Sequence, residues 1–429
     1  MKPMEFSRRQ LLGGGAAMVA GAAFGLPAMA QDPDKWPNVT RLISSYVDGR
    51  KVANMVAVLG FGQAAPMLIA AGTDTFGQPR RSDGNSLYRI YSMTKPITGM
   101  ATMQLIDEGK LGLDQPLHEI LPKYRNMQVQ RTYDGPITTD NLEPAKRPIT
   151  IRHLLTHTAG LGYPIVQAGP ISDAMRERGV VPGIATRLQN SPAFRGTPVQ
   201  GLANFADRLA EFPLVYQPGE HWSYSTSADL LGRVIEVVEN QAFDRVLQDR
   251  FFDPLGMNDT SFRVPREKAD RLTTSYFLLN GLPVPIDLGT NSIYLEEPPF
   301  PFGGAGLASS PLDYDKFLRM LLALGEANGT RVMGELAVRV GTSDILPDTL
   351  LNQESYGREW GYGALGRVGR GEWEGTYGWA GAAGTIGFIH SRLGLRAGLF
   401  TQYMPSQDYP LNAEFPAAVL ADLAAQGLA

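Results

Sequence analysis

A chain of 429 residues with 43% hydrophobic residues, 19% charged residues and a formal net charge of −4 has the composition of an ordinary globular protein. No run of Lys and Arg supplies the electrostatic footprint of a nucleic-acid binder, so no nucleic-acid partner is expected. The lack of cysteine removes disulfides, thiolate nucleophiles, cysteine-bound zinc and iron–sulfur clusters together.

Residues 1–30 open with Lys2, Arg8 and Arg9, continue through an apolar Gly/Ala-rich stretch from Leu11 to Leu26, and close on Ala28-Met29-Ala30. This is the layout of a cleavable export signal. The run Ser7-Arg8-Arg9-Gln10-Leu11-Leu12 resembles the bacterial twin-arginine signal, which implies a periplasmic or secreted product beginning near Gln31. Gly13, Gly14, Gly15, Gly21, Gly25 and Pro27 make the stretch a poor spanning helix, and no later segment is long and apolar enough for one. No stable membrane span is expected after signal removal.

Two apolar runs, residues 55–59 and 67–71, flank a Gly/Gln/Pro break and predict a β-hairpin. Residues 92–108 place Met93, Ile97, Met100, Ala101 and Leu105 at the three-and-four spacing of an amphipathic helix, closed by Gly109 and opened by Ser92. Long Pro/Gly-rich stretches around 127–147 and 163–205 are expected to be lids or substrate-facing insertions. Helices follow over Ser227–Asn240 and Asp313–Gly325, then a second hairpin over 384–390 and 395–401, then an Ala-rich helix over 412–426. Strands at both chain ends predict one shared sheet. The expected class is α+β, an antiparallel sheet flanked by helices with a large, mostly helical insertion. The leader would occupy 1–30, the sheet domain 35–105 plus 300–429, and the helical domain 106–299.

The histidines, His118, His153, His157, His221 and His390, form no His-Glu-x-x-His pattern. His153 and His157 are four apart and could share a helix face, but the expected reading is one packed and one exposed side chain. No metal is expected. Gly304-x-Gly306 lacks the context of a dinucleotide fingerprint, no Walker-type motif is present, and no cofactor is expected.

A serine hydroxyl is a weak nucleophile until a base stands within hydrogen-bond reach and its oxyanion is stabilised. Ser92-Met93-Thr94-Lys95 meets the first need, because a lysine three residues on shares the helix face of the serine. A match this short carries little alone.

Its neighbours carry more. Tyr91-Ser92-Met93-Thr94-Lys95-Pro96 resembles the active-site helix of the serine β-lactamase and penicillin-binding protein superfamily. Residues 107–116, residues 151–161, Gln217-Pro218-Gly219, Tyr224-Ser225-Thr226 and residues 303–310 are similar to further stretches of class C β-lactamases and related esterases, in consistent order over roughly residues 35–425. The resemblance implies a β-lactamase/transpeptidase-like fold, with Tyr224 opposite Ser92 as a proton relay. It makes His157 structural. Sequence does not say whether Lys95 or Tyr224 is the formal base.

The family's third motif, Lys-Thr-Gly, is replaced by Trp379-Ala380-Gly381. An indole where a lysine meets the carboxylate of β-lactam substrates makes an apolar wall suited to a neutral ester. Thr226 stands where β-lactamases usually carry a substrate-contacting asparagine, so Trp379, Gly381 and Thr226 are the expected substrate-binding residues. The backbone N–H groups of Ser92 and Ala382 are the expected oxyanion hole. Both changes resemble the esterase and transesterase branch, which implies a carboxylesterase acting on a small-molecule ester through a Ser92 acyl-enzyme. The alternatives are a β-lactamase or D-amino-acid peptidase using the same residues on an amide, and a non-catalytic protein that binds cell-wall peptides.

Overall fold

A computed structural model describes residues 32–187, 196–347, 350 and 360–428. The leader of residues 1–30 and part of the 163–205 insertion lie outside the described residues.

In chain order the elements that build the site are α1 (Pro37–Val47), β1 (Asn54–Phe61), β2 (Met67–Gly72), α2 (Thr94–Asp107), α3 (Ile151–Leu155), α4 (Ser227–Glu239), β3 (Ser275–Leu279), β4 (Leu282–Asp287), α5 (Pro311–Leu322), α6 (Glu335–Gly341), β5 (Trp360–Tyr362), β6 (Arg367–Gly369), β7 (Thr376–Ala380), β8 (Ile386–His390), β9 (Leu395–Phe400), β10 (Tyr403–Met404) and α7 (Leu411–Ala425). Both expected hairpins form, as β1–β2 and β8–β9. The chain ends meet where β1 pairs antiparallel with β9, Val58 opposite Gly398, giving the sheet order β5-β6-β7-β8-β9-β1-β2. The short β10 lies outside that sheet, parallel to β3 of the β3–β4 hairpin.

The two-residue period of a strand explains the layering. From β1, Met55, Ala57 and Leu59 enter a cluster with Val39 and Ile43 of α1 and Phe415 and Val419 of α7. Val56 and Val58 point the other way, into the main core with Met93, Ile97 of α2 and Tyr314 and Phe317 of α5. The sheet is therefore covered on both faces, and β1 is buried throughout.

The helix predicted over 92–108 differs in two ways. It begins at Thr94, after a 3₁₀ turn over Tyr91–Met93, and it is not amphipathic: every residue from Thr94 to Leu105 is buried. The cause is its central place among the sheet, α4 and α6, which leaves no solvent face. Its polar side chains find internal acceptors: Thr98 Oγ1 donates to the Gly303 carbonyl at 2.7 Å and Gln104 Nε2 to the Val332 carbonyl at 2.7 Å.

Candidate active site

The serine sits on a forced turn. Tyr91 takes a left-handed φ of 42°, and the Met93 N–H closes the turn on the Ile90 carbonyl at 3.0 Å. The Tyr314 hydroxyl ties it down from below by donating to the Met93 carbonyl at 3.1 Å. Ser92 is thus presented beside the end of β7, half-buried, while Lys95 one turn later goes under the surface and is 1% exposed.

Lys95 Nζ donates to Ser92 Oγ at 3.3 Å and to the Gly304 carbonyl at 2.6 Å. Tyr224, on the loop entering α4, donates its hydroxyl to Ser92 Oγ at 2.7 Å, and its ring centroid lies 4.5 Å from Lys95 Nζ. Hydroxyl, amine and phenol, far apart in sequence, converge on one oxygen. A proton leaving Ser92 thus has a short path to either partner.

His157 does not reach the serine. Its Nδ1 meets Ser225 Oγ at 3.1 Å and its ring packs 5.0 Å from that of Tyr224, while burial, helped by the Lys95 charge, holds its imidazole well below the usual histidine range. His153 and His157 are both buried, against the expectation of one exposed. They also share no helix, because α3 ends at Leu155 and His157 turns away with a φ of 55°.

The Trp379-Ala380-Gly381 motif ends β7 beside Ser92. Trp379 stacks on Tyr224 with ring centroids 5.9 Å apart. Gly381 is required by space: a Cβ there would stand 2.1 Å from Thr385 Oγ1 and 2.5 Å from the Ile90 carbonyl. That contact seats the strand end against the serine turn. Among the described residues, neither the Ser92 nor the Ala382 backbone N–H donates to a protein acceptor. Both residues line a cleft of about 350 Å³, whose walls include Tyr224, Trp379, Trp360, Ile165 and Phe388.

Thr226 departs from its expected substrate-binding place. It is fully buried, with its hydroxyl donating to the Gly162 carbonyl at 3.2 Å, and it is not part of the cleft wall. A side chain already spent on the backbone below the site supports the Tyr224 loop instead.

Three residues around the Lys95–Tyr224 pair escaped the sequence reading. Tyr163 and Trp222 bring their rings to 5.4 Å and 6.3 Å from that of Tyr224, and nothing in their local pattern marks them. Asp229, in the first turn of α4, is 2% exposed and accepts the Gly304 N–H at 3.0 Å.

A family model described as beta-lactamase matches residues 39–421. The chain belongs to the beta-lactamase family. Among relatives of this beta-lactamase-family chain is the protein Rv1367c of Mycobacterium tuberculosis, 36% identical over 272 residues, which make up 63% of this chain and 62% of that protein. Esterase EstB of Burkholderia gladioli is 31% identical over 358 residues, covering 76% of this chain and 79% of the esterase. A solved structure described as EstCE1, a hydrolase with promiscuous acyltransferase activity, superposes with a TM-score of 0.72 at 23% identity, covering 90% of this chain and 98% of that one. At that identity the likeness speaks for the fold. It is the antiparallel, helix-flanked α+β architecture expected of the beta-lactamase family.

Proposed function

We propose that this beta-lactamase-family chain is a serine carboxylesterase that works through an acyl-enzyme on Ser92 and takes a neutral ester. The observation that carries the reading is the approach of Tyr224 Oη and Lys95 Nζ to one serine oxygen, at 2.7 Å and 3.3 Å. The name borne by the Burkholderia relative supports the same class.

In this mechanism the Lys95–Tyr224 pair takes the proton of Ser92 as Oγ attacks the ester carbonyl. The tetrahedral oxyanion meets the N–H groups of Ser92 and Ala382, which donate to no acceptor among the described residues and so need no reorganisation as charge develops. Collapse expels the alcohol, which recovers the proton from the same pair, and leaves the acyl group on Oγ. Water then attacks the acyl-enzyme, Ser92 is protonated again and the acid departs. An alcohol in place of water gives acyl transfer.

The apolar wall of Trp379 favours an ester over a carboxylate-bearing β-lactam. The test is turnover of p-nitrophenyl butyrate against a chromogenic cephalosporin, with Ser92→Ala as control. The expected result is ester cleavage that disappears in Ser92→Ala, with little cephalosporin turnover. Rapid cephalosporin turnover without ester cleavage reverses the choice, and equal fluorophosphonate labelling of wild type and Ser92→Ala removes Ser92 from the mechanism. Export by the twin-arginine route is part of the proposal, supported by the Arg8-Arg9 leader sequence. Fractionation of cells expressing Arg8→Lys, Arg9→Lys chains tests it, retention in the cytoplasm being expected.

A further inference from the structure

Lys95 is an ammonium taken almost wholly out of water, a state that is costly for a charge without a counter-charge. Its two oxygen acceptors, Ser92 Oγ and the Gly304 carbonyl, are neutral. Gly304 gives its carbonyl to the ammonium at 2.6 Å and its N–H to the Asp229 carboxylate at 3.0 Å. The Cβ position of this glycine lies 3.1 Å from Asp229 Oδ2 and 3.3 Å from Lys95 Nζ, so the two charges face each other across a residue with no side chain.

We propose that Asp229 is the positioning residue of this site, whose buried negative charge, acting directly and through Gly304, holds the Lys95 ammonium against Ser92 and Tyr224. The inference rests on the Ser92 acyl-enzyme function. It adds a fourth ionisable group, which touches neither substrate nor nucleophile and acts through the lysine. Asp229 comes from α4, Lys95 from α2 and Gly304 from the loop before α5, so the contact also fixes the spacing of three elements around the cleft.

The titratable groups that face Asp229 are few. Lys95 meets it from α2, and Tyr163 feels its charge from the loop that also reaches Tyr224. His157 stands behind Tyr224, held neutral by burial. Burial pushes the Asp229 carboxyl up to about 6, with the Lys95 charge and the Gly304 N–H pulling the other way. Above that pH the carboxylate is charged and the lysine is held. As pH falls through it, Asp229 takes a proton and the counter-charge is lost.

The experiment is kcat and KM for p-nitrophenyl butyrate from pH 4.5 to 8.5, on the full chain and on Asp229→Asn, Asp229→Glu and Ser92→Ala, each checked by circular dichroism. Wild type should show an acid limb near pH 6. Asp229→Asn should lose that limb and run at least about tenfold slower in kcat at pH 7.5, with KM changed far less, as befits a group that acts on the lysine. Asp229→Glu should recover part of the rate and shift the limb. A wild-type kcat level through pH 6, or Asp229→Asn with wild-type kcat and an unmoved limb, overturns the proposal. If Asp229→Asn does not fold, a limb near pH 6 that Asp229→Glu leaves in place overturns it as well, and one that moves supports it. An inactive Ser92→Ala beside a normal Asp229→Asn removes only the positioning role, whereas an active Ser92→Ala removes the serine mechanism itself.

Discussion

Arg89 and Asp287 form a buried ion pair three residues before the nucleophile: Arg89 Nε donates to Asp287 Oδ2 at 2.7 Å, and Nη2 donates to the same oxygen. Both side chains are closed to solvent, at 0% and 2% exposure. The remaining guanidinium donors reach the Thr273 carbonyl at 2.6 Å and Ser292 Oγ at 2.9 Å, while Gln402 Nε2 grips the Arg89 carbonyl at 3.0 Å. Strand β4, the loop after it and the link between β9 and β10 are thus pinned to the chain leading into Ser92. Removing one partner leaves the other charge buried and unpaired, at a cost of about 3–5 kcal/mol. Asp287→Asn and Arg89→Met should each lower the unfolding free energy in urea by that order, with the double variant losing less than the sum. Additive losses would mean that the pair does not act as a unit.

Gly381→Ala should damage activity more than stability. The added Cβ would sit 2.1 Å from Thr385 Oγ1 and 2.5 Å from the Ile90 carbonyl. The threonine hydroxyl can rotate, but the carbonyl belongs to the serine turn and moves only with it. A shift approaching 1 Å in a reacting group costs on the order of 10²-fold in rate. The expected outcome is a fall of about that size in kcat/KM for p-nitrophenyl butyrate, with slowed fluorophosphonate labelling, while overpacking costs about 1–3 kcal/mol of stability. Wild-type kinetics in Gly381→Ala would show that the strand end does not set the position of Ser92.

The sequence revealed elements whose signals are local. Hairpins β1–β2 and β8–β9 announce themselves by short apolar runs around breaks, and the Ser92–Lys95 spacing needs only one helical turn. What stayed hidden depends on long-range packing. The apolar spacing of α2 matches a one-faced helix, yet the helix is enclosed because α4 and α6 cover the side away from the sheet. Asp229 in the first turn of α4 looks like an ordinary acidic residue favoured at a helix N-terminus, and only the Gly304 loop, many residues later, reveals its closeness to Lys95. Thr226 misled for the opposite reason: its place in a motif implied the cleft, but its hydroxyl is held by Gly162.

His153 should make stability fall on the acid side. The Thr150 N–H donates to its Nδ1 at 3.2 Å while Thr150 Oγ1 accepts the His153 N–H, so the ring closes a capping box at the start of α3 only while Nδ1 is unprotonated. Burial pulls its imidazole down to about 4, the nearby Asp114 opposing and Arg147 and Arg152 assisting. The unfolded chain therefore takes this proton near pH 6.5 and the folded one only near 4. The contribution is complete above pH 6.5 and drains away between 6.5 and 4, about 3 kcal/mol in all. Glutamine keeps an acceptor for the Thr150 N–H without titrating. His153→Gln should thus have an unfolding free energy in urea that falls less between pH 7 and pH 4.5 than that of wild type. Parallel curves would mean that this histidine is protonated in the fold.

Trp379→Lys restores the residue type of the beta-lactamase third motif, yet it should not make a β-lactamase. The indole is held between the Tyr224 ring at 5.9 Å and the Arg367 guanidinium, whose Cζ lies 5.6 Å from it on the neighbouring strand β6. A lysine here would lose the stacking that fixes Tyr224 and place its ammonium beside Arg367, with Lys95 already under the same tyrosine ring. Repulsion from Arg367 at its side and from Lys95 beneath the tyrosine ring would disorder the new side chain. Thr226, which would have to stand in for the β-lactamase asparagine, remains buried on the Gly162 carbonyl. The expected outcome is a loss of about tenfold or more in kcat/KM for p-nitrophenyl butyrate, about 1.4 kcal/mol, from aromatic and cation–π contacts of this order. No matching gain on a chromogenic cephalosporin is expected. Trp379→Phe, which keeps a ring against Tyr224, should retain more of the ester activity. Cephalosporin turnover in Trp379→Lys rising to the wild-type ester rate would show instead that the missing cation alone separates this cleft from a β-lactam site.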